Sequence, residues 1–111
     1  MQITRATIGP VVHLHLAGRF DEFATADAES EFTALVRDGA KKVVLDLSGV
    51  EYVTSSGLRT ILMLFRAIQN QQGTLKLCGL TPFVAQVFDV SNFSAVFEIF
   101  PSAELAVRSF Q

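Results

Sequence analysis

Hydrophobic and polar positions change their spacing several times along this chain, and each change marks an element. Gln2 to Ile8 is a short strand candidate that ends at Gly9-Pro10, a turn signal. Val12, Leu14 and Leu16 then alternate with Val11, His13 and His15, which predicts a half-buried strand hairpinned to the first. Gly18-Arg19-Phe20-Asp21 reads as a loop leaving that strand. The spacing shifts to three and four at Ala28, Phe32, Leu35 and Val36, predicting a helix from about Thr25 to Arg37, with Gly39 placed for a left-handed C-terminal cap. Val43, Val44, Leu45 and Leu47 are nearly continuous, as in a strand covered on both faces, and a short loop is expected after them.

A second helix is predicted from about Ser56 to Gln71, stopping before Gly73, and Thr74 to Cys78 is another short strand. Thr81-Pro82 opens a third helix, with the threonine as cap and the proline at the first helical position; its stripe is Val84, Val87 and Phe88, and Ser91-Asn92 ends it. Ala95 to Phe100 is the last strand candidate, followed after Pro101-Ser102 by a helix through Leu105, Ala106 and Phe110. The order β-β-α-β-α-β-α-β-α predicts an α/β fold with right-handed crossovers. Its mostly parallel mixed sheet carries the N-terminal hairpin as an antiparallel edge, with helices packed against it. At 111 residues this is one domain, 1–111.

Composition narrows the function classes. Half of the residues are apolar and 18% are charged, so the core is expected to form without metal or disulfide. A net charge of −2 argues against nucleic acid, which requires a basic face. The single cysteine, Cys78, follows a strand-like run and reads as a buried small apolar residue, in keeping with a reducing compartment. The N-terminus lacks the pattern of a signal peptide, and no apolar run approaches the ~18 residues of a membrane span. A cytoplasmic protein that binds neither membrane nor nucleic acid is expected.

The chemistry-bearing candidates are few. Thr54, Ser55 and Ser56 stand before Gly57 and the run Leu58, Ile61, Leu62, Leu64, Phe65, Ile68. Hydroxyls at a helix start cap the first backbone N–H groups. The same place favours anions, so an exposed serine there is either a plain cap or a phosphate acceptor. A nucleophilic serine would need a histidine and an orienting acid; only His13 and His15 exist, and no Gly-x-Ser-x-Gly occurs. The pair His13-x-His15 shares a strand face but has no third metal ligand at suitable spacing. Asp21-Glu22, Asp27 and Glu29 cluster at a helix start, where acids are electrostatically favoured. No phosphate-binding glycine loop is present. Ten phenylalanines accompany no tryptophan, and Phe83, Phe88, Phe93, Phe97 and Phe100 are close together; they belong either to the core or to a partner surface near the third helix.

The segment Val43–Leu58, VVLDLSGVEYVTSSGL, resembles the centre of STAS domains, and within them the small bacterial anti-sigma factor antagonists. Gly18-Arg19-Phe20-Asp21 is similar to the family's loop after the second strand. Leu77-Cys78-Gly79-Leu80-Thr81-Pro82 and Val87-Phe88-Asp89-Val90-Ser91 resemble its late strand and helix. The resemblance implies a non-enzymatic protein without cofactor, metal or catalytic residue. Its partner would be an anti-sigma factor with serine kinase activity, whose sequestration frees a sigma factor. It further implies phosphorylation at Ser55, with Ser56 the alternative acceptor, and resetting by a serine phosphatase. The implied partner-binding residues are Asp21, Thr54, Ser55, Ser56, Gly57, Leu58 and Arg59. Thr54 occupies a place where the family usually has aspartate. A monomer or weak homodimer is expected. The alternative within the family is a scaffold or subunit STAS module with no phosphorylation cycle.

Overall fold

The computed structural model describes residues 1–111. Its sheet has five strands in the order β1-β2-β3-β4-β5: β1 (Gln2–Ile8), β2 (Val11–Phe20), β3 (Lys42–Val53), β4 (Thr74–Cys78) and β5 (Glu98–Phe100). The β1–β2 hairpin is antiparallel and every other pairing is parallel. Helices α1 (Thr25–Arg37), α2 (Ser55–Asn70), α3 (Pro82–Val90) and α4 (Ala103–Arg108) fill the crossovers and the C-terminus.

Alternation in the strands sorts side chains between two cores. Leu14, Leu16, Val43, Leu45, Leu47, Leu75 and Leu77 face α1, α2 and α3, meeting Phe32, Leu35, Ile61, Ile68, Val84 and Phe88. Their neighbours Val11, Val44 and Cys78 face the other way and are covered by Ala106 and Val107 of α4. The nearly continuous apolar run of β3 therefore reflects a strand enclosed on both sides.

Four expectations need correction. The Gly18–Phe20 segment is not a loop but the end of β2. β3 does not give way to a loop after Leu47; it runs on to Val53 by two bulges. Where β2 advances from His15 to Ala17, β3 advances from Asp46 to Gly49, and the same one-residue excess recurs between Gly18–Val50 and Arg19–Tyr52. Core-facing positions in β3 consequently change from every second residue to every third, at Leu47, Val50 and Val53. The last strand is only Glu98–Phe100, because Phe93–Ala95 forms a 3-10 turn entered through a left-handed Asn92 at φ 66°. Finally, Thr81 precedes α3 without capping it; its hydroxyl instead donates to the Val50 carbonyl at 3.1 Å, fastening α3 to β3.

Candidate functional site

The C-terminal ends of β2 and β3 lie side by side, and each runs directly into a helix-forming segment. In open parallel sheets this rim is the usual location of a functional site. The Thr54 backbone N–H donates to the Phe20 carbonyl at 3.0 Å, joining the two strand ends. Thr54 is extended (φ −99°, ψ 174°), and its hydroxyl oxygen accepts the Gly57 N–H at 3.3 Å, so Thr54 is the N-cap of α2. That assignment decides the state of its neighbours. Ser55 becomes the first residue of the helix and is exposed, with its hydroxyl left out of the capping arrangement. Ser56 is half-buried, and its carbonyl accepts the Thr60 hydroxyl at 3.0 Å. The first turn of α2 contains no acid, so nothing on the helix opposes a negative charge at its mouth.

Asp21 lies on the same rim, after Phe20. Its Oδ1 accepts the N–H groups of Phe23 at 3.0 Å and Ala24 at 3.1 Å, folding the chain into α1. Its Oδ2 faces the Arg19 guanidinium at 3.9 Å. This turn holds Phe23 out in solvent, 85% exposed. Arg59 is exposed one turn into α2.

Two residues expected on the partner face point inward instead. Leu58 is part of the main core. A Cβ on Gly57 would come within 2.6 Å of the Phe20 carbonyl oxygen and 2.9 Å of Val53 Cγ2. Gly57 therefore lets α2 approach the end of β2, and both residues support the site from behind.

Tyr52, which the sequence pattern did not single out, completes the rim by joining Arg19 to Phe83. The Arg19 guanidinium lies 4.6 Å from the centroid of the Tyr52 ring, and Tyr52 stacks on Phe83 at 5.5 Å and 15°. Tyr52 is the only tyrosine in the chain, which was the one available signal; its pairing with Arg19 depends on the second bulge.

The histidines belong to a different place. His13 Nε2 lies 2.8 Å from Asp46 Oδ2, and His15 Nε2 lies 3.3 Å from the Ser48 hydroxyl, both on the sheet face that carries α4. Neither partners Ser55, so no serine–histidine dyad forms. Asp46 is buried, which by itself raises a carboxyl pKa. The Ser48 backbone N–H, the Ser48 hydroxyl and the His13 ring outweigh burial and hold it below its ordinary value. Cys78 is fully buried, as its sequence context predicted. Burial first, then the charge of Asp46 and a hydrogen bond to it, push the thiol up to about 12. No helix is long and apolar enough to cross a membrane.

Comparison with known proteins gives the same fold and points to one family. Residues 2–106 match the family model of the STAS domain. The Bordetella bronchiseptica protein BtrV, named as an anti-sigma factor antagonist, is 34% identical over 111 residues, covering 100% of this chain and 96% of that protein. The anti-sigma-B factor antagonist of Bacillus subtilis is 25% identical over 97 residues, covering 87% of this chain and 88% of its own. A Thermotoga maritima crystal structure that also carries the name anti-sigma factor antagonist superposes with a TM-score of 0.90. It is 20% identical and covers 96% of this chain and 92% of that one.

Proposed function

The chain belongs to the STAS family, and from that premise we infer that it is an anti-sigma factor antagonist whose binding is switched off by phosphorylation of Ser55. The partner is an anti-sigma factor that is also a serine kinase, and a serine phosphatase returns the protein to its binding state. The protein performs no chemistry of its own: it is the substrate of the kinase and the ligand that displaces the sigma factor. Cytoplasm is the place of action, since the regulated event is transcription.

One observation carries this reading. Thr54 takes the capping role, which leaves the Ser55 hydroxyl exposed at the mouth of α2. A phosphate there adds about −1.5 to −2 charges at a position where backbone N–H groups and the helix dipole favour an anion. The fold accommodates that charge. A partner packed on the rim does not, because a bulky, hydrated anion now stands where its surface would close over the exposed Ser55. A difference of about 1.4 kcal/mol already changes affinity tenfold.

The test is phosphate incorporation with the purified kinase, ATP and magnesium. Ser55→Ala is expected to abolish incorporation, while Ser56→Ala is expected to leave it intact. Mass mapping of the phosphate to Ser56 or Thr54 would overturn the assignment.

A further inference from the structure

α1 and α2 fill successive crossovers between parallel strands, so they lie side by side and run in the same direction. Neighbouring helices normally close on each other through interlocking side chains. These two leave a gap. Thr60 and Ala67, the positions of α2 turned toward α1, are seven residues apart, hence on one side of the helix, and both are short. The result is a groove of about 340 Å³, floored by Phe32, Val36 and Leu64 and edged by Met63, which is 55% exposed. Small-molecule sites begin at about this size, roughly 300 Å³.

The lining asks for an apolar occupant. Its buried hydroxyl, Thr60, already donates to the Ser56 carbonyl at 3.0 Å, and no buried side-chain polar atom is left for water to satisfy. The charges around the groove ask for an anion. Glu29 and Arg37 border it eight residues apart on α1, about 12 Å along the helix. Arg37 is exposed and forms no ion pair. Neither do Arg59 and Arg66, which flank Met63 at i−4 and i+3 on a helix without acids. Three unpaired arginines against one glutamate make a basic patch on a chain whose net charge is −2. A second copy docked here would set that patch against itself, whereas a negatively charged ligand is attracted to it.

We propose that the groove between α1 and α2 binds a monomeric medium-chain fatty carboxylate, with its chain along Phe32, Val36, Met63 and Leu64 and its carboxylate on the Arg37 guanidinium. Guanidinium and carboxylate match as a two-pronged, charge-assisted pair. Charge also sets the direction: Glu29 repels a carboxylate from the far end, so the chain terminus lies there. Thr60 to Ala67 spans about 10 Å, the scale of an octyl chain. The site is independent of the Ser55 reading, since it uses neither Asp21 nor the first turn of α2.

The test is calorimetric titration of the full chain with monomeric octanoate and with octanol, for wild type, Ala67→Leu and Arg37→Gln. Arg37 is in solvent, so Arg37→Gln is expected to melt like wild type. Ala67→Leu extends an apolar side chain into the hollow and is expected to melt no lower. Wild type should bind octanoate saturably and more tightly than octanol. Ala67→Leu should weaken both at least about tenfold, and Arg37→Gln should weaken octanoate to the level of octanol. Absence of saturable octanoate binding to wild type overturns the site, and equal octanoate affinity in all three proteins does the same. Octanol binding as tightly as octanoate to wild type overturns the anionic ligand. Retention on phosphatidylglycerol vesicles that Arg37→Gln abolishes, without a response to octanoate, overturns the free carboxylate in favour of a membrane surface. A wild-type dimer in light scattering that Ala67→Leu dissolves overturns it in favour of a second copy.

Discussion

The Phe20 carbonyl oxygen accepts the Thr54 backbone N–H at 3.0 Å, and the same oxygen lies only 2.6 Å from where a Cβ on residue 57 would sit. One atom of β2 thus fixes both the entry into α2 and the identity of a residue in its first turn. The mouth of the helix is positioned by a neighbouring strand rather than by α2 itself.

Gly57→Ala tests that relationship. The added methyl meets backbone, which cannot rotate away, so the start of α2 must shift. A loss of about 1–3 kcal/mol is expected in urea denaturation, the usual cost of overpacking. Partner affinity should fall with it, since Ser55 moves too. Unchanged stability would mean that α2 does not need this close approach.

Asp46 gives a pH signature. Its carboxyl is held below the ordinary value of 3.8 in the folded chain. A group depressed on folding contributes stability that is fully present above its unfolded pKa and is lost as pH falls through the folded value. The stability gap between wild type and Asp46→Asn is therefore expected to be at its full size at about pH 5 and to narrow below about pH 4. Chemical denaturation across that range checks it, and a gap that stays constant down to pH 3 would contradict the hydrogen-bonded carboxylate.

Cys78 should be inert in the native protein. It is shielded from solvent and its thiol is pushed up to about 12, so thiolate is scarce at pH 8. Iodoacetamide should label it only after denaturation. Native labelling at the rate of a free cysteine would show that α4 opens readily over this face.

Lys76 is expected to fasten the C-terminal segment. Its ammonium donates to the Ser109 hydroxyl at 2.8 Å, lies 4.2 Å from the Phe110 ring centroid, and has Glu98 at 3.7 Å. Lys76→Met removes the charge while keeping much of the volume. Stability should drop by about 1–3 kcal/mol, and amide exchange should quicken in Ala103–Arg108. Exchange that stays slow throughout α4 would assign its attachment to Ala106 and Val107 instead.

The extent of the sequence reading follows from how each feature is encoded. α1 was legible because Ala28, Phe32 and Leu35 repeat at helical spacing, and all three are buried. β1 and β4 were legible from short runs between turn residues. The second half of β3 was not, since each bulge advances the core-facing position by one residue and the alternation disappears between Leu47 and Val53. Ser55 could be named as one of three hydroxyls at a helix start. Which of them caps was beyond local reading, because Thr54 is held in an extended conformation partly by Phe20, 34 positions earlier in the chain.

The order of amino acids alone determined the number and kind of elements, the parallel character of the sheet and the neighbourhood of the rim, because side-chain periodicity records which way each residue faces. The folded structure decided the strand register, the inward turn of Gly57 and Leu58, and the alignment of Arg19, Tyr52 and Phe83 beside Ser55. Those are contacts between segments far apart in the chain, and they exist only once close packing has fixed where one backbone meets another.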